Sequence, residues 1–228
     1  MALDTVTPPG GSAESPETRK RAGIVVPCVG LLIALVLPLL PLGQATSMPG
    51  HLAHEAFAWA ITAILLAYIL LVERRSVSSI GLRLPTWKSF AFGIPAGVIL
   101  VVGIVVTYFV VFPALHLRMN QAAYASLLHT PWWFRFLLVT RAAVFEEVCY
   151  RGYTIERVQE LTGRKWIAFV VSVAAFTYAH LEYWGWAQLI VAGFGGVVLA
   201  LYYIWQRDLA SNMIAHFVAD GAGFLFGR

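Results

Sequence analysis

Long apolar runs constrain the fold of this chain more than any other feature of its sequence. Hydrophobic residues make up 59% of the 228 positions, whereas charged residues make up only 12%. A helix needs about 20 mostly apolar residues to cross the hydrocarbon core of a bilayer, so this content is enough for several spans. A soluble domain of the same size exposes far more charge. The sequence therefore predicts an all-α, polytopic transmembrane bundle with short loops.

The apolar runs predict seven spans and one membrane domain. Pro, Gly, Ser and Thr dominate residues 1–18, which predicts a disordered cytoplasmic tail. Residues 19–228 are expected to form a single domain whose motif core covers 132–226. The predicted spans are residues 23–42, 53–72, 89–112, 132–153, 166–181, 186–206 and 209–226.

Lys and Arg residues predict the orientation of these spans. Only Arg118 and Arg228 fall in loops on one side, and most of the others fall in loops on the other. Cytoplasmic loops carry the excess of Lys and Arg, so we expect a multi-pass protein of the cell's inner (plasma) membrane with a cytoplasmic N-terminus. Scattered cations form no continuous patch, which gives no reason to expect a nucleic-acid partner. The cations on the basic side are Arg19, Lys20, Arg21, Arg74, Arg75, Arg83, Lys88, Arg157, Arg164, Lys165 and Arg207.

Ionisable side chains interrupt three of the predicted spans. A charge at the bilayer centre costs at least ~2.5–3.5 kcal/mol, so each such residue is a candidate functional group. Convergence of the three helices would allow these groups to satisfy one another, and we expect one shared site near 132–153, 166–181 and 209–226. Its candidate members are Glu146, Glu147, Arg151, His180, Asn212, His216 and Asp220.

Helical spacing divides these residues into smaller sets. Glu147 and Arg151 are four residues apart and should form an ion pair on one helix face. Glu146 points away from that face and has no obvious cation on its own helix, which leaves it free for chemistry. Asn212, His216 and Asp220 recur every four residues and should form one polar stripe.

Other potential ligands carry no functional prediction. Cys28 and Cys149 lie far apart and have no metal-type spacing. The segment "HLAHEAF", residues 51–57, lacks the two-histidine spacing of a metalloprotease helix. Its residues His51, His54 and Glu55 are expected to be solvated in a loop.

Three short motifs in the last third of the chain resemble one known family. They are "EEVCYR" at 146–151, "FTYAH" at 176–180 and "HFVAD" at 216–220, and "IGLRLP" at 80–85 resembles a loop of that family. In order and spacing they resemble the CAAX-protease and bacteriocin-processing family, which includes type II CAAX prenyl proteases and bacterial Abi proteins. The resemblance implies a helical intramembrane endopeptidase that hydrolyses a peptide bond of a membrane-associated peptide or protein.

The resemblance also implies a role for each matched residue. Glu146 would activate a water molecule with help from His180, and His216 and Asp220 would stabilise the oxyanion. Glu147 and Arg151 would orient the site. Phe176, from the second motif, and Asn212, from the polar stripe, complete the site as supporting residues.

Metal dependence is left open by the residues. Glutamate-activated water requires no cofactor, but a divalent ion such as zinc could bind two histidines and two carboxylates. That ligand set would be His180, His216, Glu146 and Asp220. Asp220 stands where the family most often has asparagine. An ionised carboxylate would repel an oxyanion, whereas a protonated one can donate to it.

A non-enzymatic membrane protein is the alternative from another functional class. A proton-coupled transporter, or an immunity or scaffold protein, could use the same polar cluster as a binding site. Transporters often contain inverted repeats with paired broken helices, and the sequence shows no such repeat. Short loops suggest a bacterial protein, and the substrate cannot be read from the sequence.

Overall fold

The computed structural model describes residues 16–40, 45 and 47–227, with side chains from residue 23 onward. Most of the predicted tail, 1–18, therefore lies outside the described residues, and the first helix begins at Pro16. The described residues form an all-helical bundle. Its α-helices are α1 (Pro16–Leu35), α2 (Met48–Ala67), α3 (Trp87–Val106), α4 (Phe112–Ala114), α5 (Gln121–Leu128), α6 (Trp132–Glu146), α7 (Thr154–Thr162), α8 (Lys165–Ala179), α9 (Leu181–Trp184), α10 (Gln188–Gln206) and α11 (Leu209–Phe224).

Within the described part of the chain, four helical segments are long and apolar enough to cross a membrane. They are Met48–Val72, Trp87–Ala114, Lys165–Trp184 and Gln188–Gln206, and they correspond to four of the predicted spans. The predicted count of seven is not confirmed. Gly23–Leu39 is a shorter apolar helix, α6 carries several charged residues and α11 has only 16 residues. The architecture is that of a multi-pass membrane protein.

One long helical segment crosses the centre of the bundle. It runs through α6, a π-helical segment at Glu147–Tyr153 and α7, and ends at Gly163 in the left-handed conformation. Every residue of the π-helical segment is buried. Such segments occur mostly as single-turn bulges inside α-helices, frequently at functional sites.

Close contact between α3 and α11 depends on two glycines of α3. A Cβ atom at Gly93 would lie 2.7 Å from the Ser211 carbonyl oxygen, and one at Gly97 would lie 2.6 Å from Cβ of Val218. Small residues allow helix backbones to approach in membranes, and these two glycines leave the space for that approach. The approach fixes α11, which carries the predicted polar stripe, against the bundle.

Opposite ends of the bundle differ in their polar contacts. Arg157 of α7 is fully buried and donates to both carboxylate oxygens of Glu73. Arg207 pairs with Glu156 at the same end. We call this the basic end. At the opposite end Tyr124 donates to the Gly223 carbonyl oxygen at 2.8 Å.

Candidate active site

Glu147 is the most completely enclosed member of the predicted site. Its side chain is fully buried in the π-helical segment. Arg151 Nη1 donates to Oε1 at 2.9 Å, His216 Nδ1 lies 2.8 Å from the same oxygen, and Asn212 Nδ2 donates to Oε2 at 2.9 Å. The predicted Glu147–Arg151 pair is therefore present. A buried carboxylate needs such partners, because an unpaired charge in the interior is very costly.

Contact with Glu147 fixes the orientation of the His216 ring. A carboxylate accepts hydrogen bonds, so Nδ1 of His216 is the donor in this contact. The other ring nitrogen, Nε2, then faces away from Glu147, and it lies 3.8 Å from Oε2 of Glu146. The contact with Glu147 therefore leaves Nε2 as the ring nitrogen that His216 directs toward Glu146.

Glu146 lies among three basic groups from two other motifs and its own helix. Its Oε2 is 3.9 Å from Nε2 of His180 and 3.8 Å from Nε2 of His216. Its Oε1 is 3.7 Å from Nη1 of Arg141. The expectation that Glu146 has no cation on its own helix is therefore wrong, because Arg141 lies five residues earlier on α6. Oε2 is buried and has no hydrogen-bond partner among the described residues.

His180 ends α8 and turns one ring nitrogen toward Glu146. Its Nδ1 bonds to the carbonyl oxygen of Phe176 at 2.8 Å, which leaves Nε2 directed at the carboxylate. The Phe176 ring packs between His180, with ring centroids 4.5 Å apart, and the guanidinium of Arg151, 3.9 Å from the ring centroid. Phe176 therefore joins the second motif to the first, as expected for a supporting residue.

Asp220 completes the polar stripe of α11. Its Oδ2 lies 3.4 Å from Nε2 of His216, one helical turn away, and its side chain is 27% exposed. Asn212, one turn before His216, also donates to the Leu199 carbonyl oxygen at 3.0 Å. All the predicted site residues thus converge in one cluster.

A residue that the sequence placed in a solvated loop belongs to the edge of this cluster. Glu55 lies in α2, is only 4% exposed and accepts from Nε and Nη2 of Arg141 at 3.1–3.2 Å. The expectation of a loop was wrong for His51 and His54 as well, since both lie in α2. Spacing within α6 cannot identify a partner on α2, so the sequence contains no signal for the pair between Arg141 and Glu55.

A cavity of ≈ 1090 Å³ leads to the cluster. Glu146, His180 and Asp220 line it together with Glu55 and Arg141. Glu147, Arg151, Asn212 and His216 are not among its lining residues, although Nε2 of His216 lies within 3.4–3.8 Å of Asp220 and Glu146, which are. The cluster thus has a layer that a ligand can reach and a buried layer that holds the first in place.

The predicted metal ligands do not form a metal-binding group in this arrangement. Within residues 16–40, 45 and 47–227, no three His, Cys, Asp or Glu residues are arranged to hold a metal ion. The two histidines present Nε2 to Glu146 at 3.8–3.9 Å.

Comparison with known proteins identifies the region that contains these motifs. Residues 128–222 match the family model for type II CAAX prenyl endopeptidase Rce1-like proteins. No curated protein and no solved structure matched the chain. The matched region contains all eight predicted site residues and supports the resemblance to CAAX-type proteases.

Proposed function

We propose that this protein is an intramembrane endopeptidase that hydrolyses a peptide bond of a membrane-associated substrate by means of a glutamate-activated water. The position of Glu146 Oε2 carries the proposal. This oxygen is buried and lies 3.8–3.9 Å from two imidazole nitrogens, and the Glu146 residue lines a large cavity. Separations above 3.5 Å are too long for direct hydrogen bonds but suit a shared bridging molecule.

The first step is activation of water by Glu146. The carboxylate accepts a proton from water while the water oxygen forms a bond to the carbonyl carbon of the substrate. His180 assists by holding the same water with Nε2, the ring nitrogen that its contact with Phe176 leaves free. Both groups lie at the cavity surface, where a substrate carbonyl can approach them.

His216 and Asp220 stabilise the tetrahedral intermediate. An imidazolium donates from both nitrogens, so His216 can donate to Glu147 from Nδ1 and to the developing oxyanion from Nε2. Donors aimed at a developing charge in a site that excludes water are a major source of catalysis. Asp220 contributes a second donor when it is protonated. The intermediate collapses as the C–N bond breaks, and the leaving nitrogen receives the proton held by Glu146.

Glu147, Arg151 and Asn212 support the reacting groups. Their contacts fix the ring of His216 and leave Glu146 on the cavity side. Preorganisation of this kind removes the need to reorient the groups during reaction. The described residues can carry out the proposed steps without a cofactor. Catalysis by a bound divalent ion is the alternative, and elemental analysis tests it.

Glu146→Gln tests the proposal. Glutamine keeps the size of the side chain but cannot accept the proton, so cleavage should fall by about 10²–10⁴-fold. The variant should insert in the membrane and remain monodisperse. Cleavage is followed by mass spectrometry of peptides from membranes that contain the wild type or the variant.

Glu182→Gln is the matched control. Glu182 is exposed in α9, so the same chemical change should leave cleavage intact. Full activity of Glu146→Gln would contradict the proposed base. If the protein is a transporter or scaffold, truncated peptides should be absent from membranes that contain the wild type, Glu146→Gln or Glu182→Gln.

A further inference from the structure

The cavity that leads to Glu146 extends to the end of the bundle opposite the basic end. Its outer part is lined by Arg118 and Gln121, which follow α4, by Tyr183 of α9 and by Phe224 at the end of α11. These positions all lie at the end opposite the basic end. The site is close to that end, because His180 directly follows α8 and lies only three residues before Tyr183.

A polar network occupies the basic end. Arg157 is fully buried there, and it bonds to Glu73 and to Ser79 at 3.0 Å. Tyr153 donates to the same carboxylate at 2.6 Å. This network lies between the cytoplasmic loops predicted by the positive-inside rule and the site. Glu73 and Arg157 line a separate, smaller cavity of ≈ 220 Å³, and no member of the network lines the cavity that leads to Glu146.

We propose that the substrates are peptides whose scissile segment lies on the non-cytoplasmic face of the membrane. Positive charge places the basic end in the cytoplasm, so the cavity must open to the other face. The inference rests on the proposed function, since it names the substrate class of that site. A protein anchored only at the cytoplasmic face has no access to Glu146 by this route.

The residues that line the cavity indicate which kind of peptide segment can enter it. Val101, Val105 and Phe109 form one side of the cavity and Leu138 and Phe145 another, whereas Glu146 lies deeper. Apolar walls with a few convergent polar groups suit a ligand that is mostly apolar. The structure thus favours the apolar end of a membrane-anchored or secreted peptide, with its scissile carbonyl at the catalytic cluster.

Cysteine labelling tests the direction of opening without any cleavage assay. The background is Cys28→Ser, because Cys28 is exposed and Cys149 is buried. Gln121→Cys places a thiol at the mouth, and Leu138→Cys places one on the wall. Lys165→Cys is the control at the basic end. The probe is a charged maleimide that cannot cross membranes, applied to right-side-out and inside-out vesicles.

We expect the probe to label Gln121→Cys and Leu138→Cys only in right-side-out vesicles. It should label Lys165→Cys only in inside-out vesicles. Reaction of Leu138→Cys from the cytoplasmic face would overturn the inference. So would failure of either cavity thiol to react from the outer face, or reaction of Lys165→Cys from that face.

Mapping of new peptide termini tests the substrate class separately. Termini that appear with the wild type and disappear with Glu146→Gln should fall in non-cytoplasmic segments. Their occurrence in cytoplasmic segments would overturn the inference while leaving the peptidase proposal intact. Absence of any Glu146-dependent terminus would instead contradict the proposed function, and the labelling result would still decide the direction of opening.

Discussion

At the scale of single residues, adjacent glutamates have different surroundings. Glu147 is fully buried and has three hydrogen-bonding partners, whereas Glu146 lines the cavity and makes only contacts of 3.7–3.9 Å to basic groups. The first arrangement holds a carboxylate in place, and the second leaves an oxygen available to a substrate or water. The proposed function therefore assigns the chemistry to Glu146 and the support to Glu147.

Glu147→Gln should reduce stability as well as activity. Removal of one partner of a buried ion pair costs about 3–5 kcal/mol, because the other charge is left uncompensated, and Arg151 is fully buried. Thermal unfolding in detergent should show a lower midpoint for Glu147→Gln than for Glu146→Gln. Equal midpoints for the two variants would contradict the supporting role of Glu147.

Asp220→Asn distinguishes an oxyanion donor from a metal ligand. An amide of nearly the same shape still donates, so a donor role predicts retained activity that extends to higher pH because no proton can be lost. A metal-ligand role predicts the loss of both bound metal and turnover, because an anionic ligand is removed.

Elemental analysis of the wild type and of Asp220→Asn accompanies a cleavage assay across pH. Activity without stoichiometric metal, kept in the variant, is the expected outcome. Stoichiometric zinc in the wild type, lost together with activity in the variant, would contradict the metal-free mechanism.

At the scale of helices, the site depends on contacts between elements that are far apart in the chain. The glycines of α3 allow α11 to approach, and α11 supplies Asn212, His216 and Asp220. The ion pair between Glu55 of α2 and Arg141 of α6 holds another basic group 3.7 Å from Glu146. A small displacement of one helix therefore changes several distances in the cluster.

Gly97→Ala should destabilise the bundle and reduce cleavage. The added Cβ would lie 2.6 Å from Cβ of Val218 and 2.7 Å from the Ala215 carbonyl oxygen, on either side of His216. Overpacking of this kind costs about 1–3 kcal/mol. Thermal unfolding and cleavage rate are measured for both this variant and the control.

Gly195→Ala is the control for Gly97→Ala. Gly195 lies in α10, and a Cβ there would meet nothing within 4 Å. Because alanine favours a helix by about 1 kcal/mol over glycine, the control should be at least as stable as the wild type. Equal unfolding midpoints and equal cleavage rates for Gly97→Ala and Gly195→Ala would show that the contact between α3 and α11 does not position the site.

At the scale of the whole molecule, most of the cations and the cavity mouth lie at opposite ends of the bundle. Arg75, Arg157 and Arg207 lie at the basic end, whereas Arg118 lines the cavity mouth and Arg135 donates to the carbonyl oxygen of Phe224 there at 3.0 Å. This asymmetry predicts the orientation of every loop. Under the proposed function, it also predicts that the substrate reaches the site from the non-cytoplasmic side.

Reporter fusions test the orientation. A reporter joined after Arg75 or after Lys165 should be active in the cytoplasm, because the surrounding loops are rich in cations. Reporters joined near His51 or Glu182 should be active outside. Reversed activity at both ends of the segment from α6 to α7 would show that the protein is inserted the other way round.

The sequence by itself determined the class of protein and most members of the site. Apolar length indicates a helical membrane protein because lipid offers no hydrogen-bond partners to an open backbone. Spacing of four residues correctly predicted the Glu147–Arg151 pair and the stripe of Asn212, His216 and Asp220, since such residues share one face of a helix. The resemblance drawn from the motifs agrees with the family match over residues 128–222.

Only the tertiary structure decided how those groups face one another. Glu55 pairs with Arg141 across 86 positions of sequence, and His216 turns Nε2 toward Glu146 because Glu147 engages its Nδ1. The π-helical segment and the boundaries of the cavity were equally unpredicted. Periodicity reports which residues share a face of one helix. The approach and rotation of separate helices depend on side-chain packing between distant parts of the chain.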